Sequence, residues 1–105
     1  MDPRGVLNPT PPDKLLDGKG RPYFLWDTEL TLQEFRELLV AGEPVVRAYA
    51  FGKLMRQAKP DDVLTLVSPE EIASLWPGLR RYLGRSEPFW DWLLSKWRAF
   101  GRVAG

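Results

Sequence analysis

The sequence predicts an all-α protein: a compact bundle of about five short helices behind an extended N-terminal arm. Three observations predict it. No stretch alternates apolar and polar residues as a half-buried strand does. Apolar residues instead recur three and four apart, and two such stretches open with a capping box, Thr31 to Glu34 and Ser68 to Glu71. Prolines and glycines fall between these stretches and leave helices too short to stand alone, so they must pack on one another around a shared core.

Residues 1–22 hold five prolines and three glycines, too many breakers for a helix and too irregular a pattern for a strand. They read as an extended or disordered arm, with 23–105 as a single helical domain. That domain begins with the apolar run Tyr23-Phe24-Leu25-Trp26, in which Trp26 is placed to seal the core as a hydrophobic staple. A first helix follows Thr31, with Leu32, Phe35, Leu38 and Leu39 on one face, and ends at Ala41-Gly42. Pro44 suits the first turn of a second helix running to about Ala58. In that helix Ala48, Phe51, Leu54, Met55 and Ala58 form the inner arc, with Lys53, Arg56 and Lys59 outside it.

Asp61 is placed to cap a short third helix, Ser68 a fourth, and Pro77-Gly78 to break or kink the latter before Leu79, Tyr82 and Leu83. Gly84 reads as a C-terminal cap, Ser86 as the cap of the last helix, and Gly101 as its stop. The unit from Leu32 to Ala58 has a HEAT-like hairpin pattern, although one unit does not make a solenoid.

A chain of 105 residues fits one domain. It contains no histidine and no cysteine, which removes the usual general base, the thiolate nucleophile and the commonest zinc ligands. The acidic pairs Asp61-Asp62 and Glu70-Glu71 fall at helix starts, where carboxylates offset the macrodipole and satisfy free N–H groups. The glycines form no phosphate loop or dinucleotide fingerprint. A non-catalytic protein without cofactor or metal is therefore the expectation. No apolar run reaches the length of a membrane span or a secretion signal, so a cytoplasmic protein without membrane association is expected.

Net charge is only +1, but it is unevenly spread. Residues 23–46 carry five acids against Arg36, whereas residues 77–105 carry six bases against Glu87 and Asp91. Opposite faces of adjacent helices can support each other this way. A polarised surface can equally orient a charged partner or follow a phosphate backbone, and the bases available for that are Arg47, Lys53, Arg56 and Lys59 together with Arg80, Arg81 and Arg85. Arginines flanking Tyr82 have the chemistry to pair phosphates and stack on bases.

The last helix is the most unusual segment, with Trp90, Trp92 and Trp97 inside eight residues. On a helical wheel, Phe89, Trp90, Leu93, Leu94, Trp97 and Phe100 span about 140°, and Trp92 lies about 60° beyond one edge. A sector that wide is either sandwiched in the core or offered to a partner. Phe89, Leu93 and Trp97 are expected in the core, and Trp90, Trp92 and Lys96 are the candidate partner-binding residues.

The runs Tyr23-Phe24-Leu25-Trp26-Asp27, Arg47-Ala48-Tyr49, Lys59-Pro60-Asp61-Asp62-Val63, Ser68-Pro69-Glu70-Glu71-Ile72 and Leu75-Trp76-Pro77-Gly78-Leu79 together resemble small bacterial helical proteins encoded beside abortive-infection-type nucleotidyltransferase toxins. The resemblance spans about residues 22–97. It implies an antitoxin-like or accessory protein that binds and occludes the neighbouring toxin, without catalytic residues of its own. A nucleic-acid-binding accessory factor and a HEAT-like structural subunit of a larger complex are the alternatives, and a homo-oligomer is compatible with any of them.

Overall fold

The computed structural model describes residues 8–103. They form six α-helices, α1 (Pro12–Leu15), α2 (Leu32–Leu39), α3 (Pro44–Gln57), α4 (Pro60–Leu66), α5 (Pro69–Leu79) and α6 (Glu87–Ala99), with 3-10 turns at Tyr23–Leu25, Arg80–Tyr82 and Gly84–Ser86. Among the described residues the only β feature is an isolated antiparallel bridge between Leu16 and Pro22. The all-α class predicted from the sequence is the class observed.

Proline sets most of the helix starts. Every helix except α2 has proline at its first or second position, where the fixed φ suits the helix and the missing N–H has no intrahelical acceptor to lose. Both predicted capping boxes are present. Thr31 accepts from the Glu34 amide and Ser68 from the Glu71 amide, each at 3.1 Å, and the glutamates return the bond at 2.9 Å. Gly84 and Gly101 adopt φ of 54° and 73°, the left-handed conformation that ends a helix or tight turn. Ser86 does not cap α6; its hydroxyl donates to the Leu83 carbonyl instead.

The central element is α3, which packs against α2, α4, α5 and the 3-10 turns. From Ala50 to Met55 every residue is buried, so this stretch of the helix has no solvent face. That corrects the placement of Lys53 outside the inner arc. Lys53 is 5% exposed, and its ammonium bonds Asp27 at 2.6 Å and Gln57 at 3.2 Å. The Gln57 amide in turn donates to the Phe24 carbonyl at 2.6 Å. These bonds fix the turn at 24–27 so that Phe24 and Leu25 enter the core. Trp26, expected to seal that core, is 75% exposed. The staple position is filled by its neighbours because a 3-10 turn, with three residues per turn, aims successive side chains about 120° apart.

Packing also overrides the break expected at Pro77. Pro77 does not break α5, which continues to Leu79; Trp76 and Leu79 are both buried on its inner face, and one missing N–H near a C-terminus is a smaller loss than that apolar contact. Within the segment read from the sequence as an extended or disordered arm, residues 8–22 carry α1 and the Leu16–Pro22 bridge, and Thr10 bonds Asp62 of α4. Residues 1–7 of that arm lie outside the described residues.

Among the described glycines the tightest position is Gly52, where a Cβ would stand 2.4 Å from the Tyr82 Cβ. Only glycine lets α3 meet the Arg80–Tyr82 turn at this spacing. Gly52→Ala gains about 1 kcal/mol of helix propensity but forces this contact apart, at a cost of about 1–3 kcal/mol. The variant should melt below wild type in a thermal denaturation scan; an unchanged or raised melting temperature would show that the turn shifts freely.

Candidate functional site

The orientation of α6 is set by one buried hydrogen bond. Trp90 is 1% exposed and its indole N–H donates to the Met55 carbonyl at 2.9 Å. Met55 lies in the last turn of α3, where carbonyls lack intrahelical partners. The amide that would ordinarily serve it, Lys59 N–H, donates to the Tyr23 hydroxyl instead at 2.8 Å. The indole therefore satisfies an otherwise orphaned acceptor, and α6 is turned so that Trp90 and Leu94 face inward. Trp90 thus belongs to the core, not to a partner-facing surface as the sequence suggested.

The same rotation brings other side chains out. Phe89, expected in the core, is exposed, and Leu93 and Trp97 are only half-buried against it. Trp92 is 54% exposed and Phe100 75%. Around the helix, Ala99, Trp92, Lys96, Phe89 and Phe100 fall in one arc of about 100° that points away from the core. It is apolar but for a single cation. The Lys96 ammonium lies 5.8 Å from the Trp92 ring centroid, over its face, and the Phe89 and Trp92 rings are 6.3 Å apart. Phe89 also rests edge-on against Trp90 at 5.1 Å, so the outer aromatics stand on the buried one. The sequence gives no sign that Phe89 and Phe100 face outward, because wheel angles alone do not reveal which part of an apolar sector of about 200° faces in.

A second exposed apolar area surrounds the α2–α3 turn. Val40, Val45, Val46 and Tyr49 are exposed there, beside the exposed carboxylates of Glu37 and Glu43. Val40 also borders an open groove of about 380 Å³ floored by Leu39, Phe51 and Leu75. The sequence pattern Glu43-Pro44-Val45-Val46 reads as a helix start and gives no sign of this patch.

Most of the bases proposed for nucleic acid have local partners. Arg47 donates to the Ala41 carbonyl at 2.9 Å, Lys53 pairs with Asp27, Arg56 donates to the Tyr82 carbonyl at 2.8 Å, and Arg80 pairs with Glu87 at 3.0 Å and lies over Trp76. Lys59 lies 6.0 Å from the Tyr23 ring centroid. Arg81 and Arg85 are exposed, with no ion pair to another described residue. The seven bases do not form one continuous stripe of free charge.

The acidic pairs also differ in role. Glu71 completes its capping box and Glu70 pairs with Arg102, but Asp61 and Asp62 are tethers. Asp61 accepts from the Asn8 amide at 2.9 Å. Asp62 is 3% exposed and accepts from the Thr10 amide, the Thr10 hydroxyl and the Tyr23 hydroxyl at 2.7, 2.6 and 2.6 Å. Burial pushes its carboxyl up, but the three donors outweigh this and hold it below the usual range. Burial and then the Asp62 bond raise the Tyr23 phenol, keeping it a neutral donor.

Among the described residues no three acidic side chains converge as a metal-binding group, and no helix is long and apolar enough to cross a membrane. No family model matches the chain, and no curated protein or solved structure is significantly similar to it.

Proposed function

We propose that this chain is a non-catalytic protein-interaction module, an antitoxin or accessory partner that binds and occludes a nucleotidyltransferase-type toxin. The binding part rests on one observation, the outward arc of α6 in which Phe89, Trp92 and Phe100 surround Lys96. Tryptophan held at a surface by a rigid helix is the residue type most enriched among interface anchors, and a single cation within an apolar patch fixes register on a partner. The identity of the partner rests on the resemblance of the motif runs between Tyr23 and Leu79. Trp92 and Lys96 are the residues assigned to the contact, joined by Phe89 and Phe100.

The test is binding of Trp92→Ala to the product of the adjacent gene. The variant should keep the wild-type melting temperature, since Trp92 is exposed, and weaken binding about thirtyfold. Unchanged affinity with an intact fold would remove the α6 arc from the interface. Arg81 and Arg85, exposed on the turns between α5 and α6, favour a second reading as a nucleic-acid accessory factor. Oligonucleotide binding that weakens steeply with salt and is lost in the Arg81→Ala/Arg85→Ala double variant would support it.

A further inference from the structure

We infer that the N-terminal segment controls how α6 is seated, through a relay from Thr10 by way of Asp62 and Tyr23 to the Met55 carbonyl that Trp90 bonds. The device is conformational, and only its bearing on a partner rests on the reading of the α6 arc as a protein-binding face. At one end of the relay, residues 8–15 are held mainly by polar contacts. No residue of α1 is buried, and of this segment only Leu15 packs against the core. The Thr10 amide and hydroxyl both bond the Asp62 carboxylate, at 2.7 and 2.6 Å, and the hydroxyl shares the oxygen Oδ2 with Tyr23. A segment with so little apolar burial opens locally more readily than the domain unfolds.

At the other end one hydroxyl makes two bonds. The Tyr23 hydroxyl donates to Asp62 at 2.6 Å and accepts from the Lys59 amide at 2.8 Å. That amide has an alternative acceptor. Pro60 favours an extended Lys59, so α3 runs at most to Ala58, and with Ala58 helical the Lys59 N–H returns to Met55, four residues back. Ala58 is instead extended, at φ −97° and ψ 159°, which turns the amide to Tyr23 and leaves the Met55 carbonyl to the Trp90 indole at 2.9 Å. The end of α3 therefore has two arrangements. In one, Lys59 bonds Tyr23 and Met55 bonds Trp90; in the other, Lys59 closes on Met55 and the indole must share that oxygen.

Thr10 selects the first. Its two bonds fix the carboxylate and keep water from the Tyr23–Asp62 pair, which strengthens that bond. With residues 8–15 released, Asp62 is hydrated, Tyr23 is held less firmly, and the Lys59 amide turns toward Met55. Phe89 rests on Trp90 at 5.1 Å, so a loosened Trp90 disorders the exposed aromatics above it. The docked segment thus presents the arc, and the released segment withdraws it.

Hydrogen exchange at the Trp90 indole in the full-length protein tests the relay without any partner. Tyr23→Phe keeps a ring beside Phe24, 5.4 Å away, and removes the shared hydroxyl. Thr10→Pro removes both Thr10 donors in a stretch that already holds Pro9 and Pro11. Neither change deletes an atom of the Trp90–Met55 bond. Each should nevertheless speed indole exchange about tenfold more than exchange of the Phe51 amide, which lies buried in the middle of α3 and follows global unfolding. Arg21→Ala, which cuts the Arg21–Asp17 pair but leaves Asp62 untouched, should have no such effect. Equal acceleration of the indole and Phe51 in Tyr23→Phe would overturn the inference, since Trp90 then opens only with the whole fold. Acceleration by Tyr23→Phe but not by Thr10→Pro would overturn it too, because Tyr23 then seats Trp90 without help from residues 8–15. An Arg21→Ala effect as large as that of Thr10→Pro would reduce the relay to general loosening and equally overturn it. Toxin binding by Trp92→Ala decides the role of the arc by itself, so either conclusion can fail while the other stands.

Discussion

Trp90→Ala should be the most damaging single substitution in α6, costing about 3–5 kcal/mol. Two losses combine. The indole is fully buried between α6 and the end of α3, so its removal leaves a large cavity beneath the helix. It also strips the Met55 carbonyl of its donor, and a buried acceptor without a partner adds about 1–3 kcal/mol to such a change when the site stays dry. A second variant separates the terms. Trp90→Phe keeps much of the apolar volume but lacks the N–H, so it should recover about half of the loss. Equilibrium denaturation in urea measures both; equal midpoints for Trp90→Phe and wild type would show that the hydrogen bond contributes nothing. Because Phe89 rests on Trp90, Trp90→Ala should weaken partner binding as well, through the fold and not by contact. Affinity data on Trp90 variants therefore need Trp92→Ala as their control.

What was legible in the sequence were features closed over three or four residues. The two capping boxes, proline at the helix starts and glycine at the stops all concern atoms within one turn, and the sequence contains both partners side by side. The all-α class followed from them. What was not legible depends on residues distant in the chain. Lys53 reads as a solvent-facing base if α3 buries a single face, whereas elements on several sides bury residues 50–55 and the compensating carboxylate lies 26 residues earlier. The inward face of α6 was set by Trp90 finding a carbonyl 35 residues away, which no wheel contains. At the candidate site this divides the assignments: Trp92 and Lys96 lie on the exposed arc, Trp90 does not, Phe89 leaves the core expected for it, and Phe100, assigned to neither, joins the arc. Proline misled in the other direction. The same ring that breaks a helix interior pre-forms its first turn, and residues 11–12 were counted as breakers although Pro12 begins α1.

Asp62 should hold residues 8–22 on the domain, and Asp62→Ala should lower stability by about 3 kcal/mol. Its carboxylate receives three donors from two separate segments, and hydrogen bonds to a charged acceptor are the strong kind. With alanine, the Thr10 amide and both hydroxyls would lose that acceptor together. Asp62→Asn keeps the shape but replaces one oxygen with an NH2 group. The Thr10 and Tyr23 hydroxyls can rotate to accept from it, whereas the Thr10 amide can only donate, so the asparagine variant should fall between wild type and alanine. The pH dependence gives the charge its own signature. The folded carboxyl is held below its usual value, so at neutral pH its contribution is complete. It begins to fade as pH drops past the unfolded value of about 3.9, and it is lost as pH passes below the folded one. Wild-type stability should therefore fall more steeply than that of Asp62→Asn on acidification below about pH 4, and the two curves should converge at the acid end. Amide exchange at Thr10 reads the tether locally: it should be slow in wild type at neutral pH and much faster in Asp62→Ala, whereas Asp62→Asn keeps the oxygen that accepts from it. Parallel acid curves together with unchanged Thr10 exchange would mean that the carboxylate does not hold this segment.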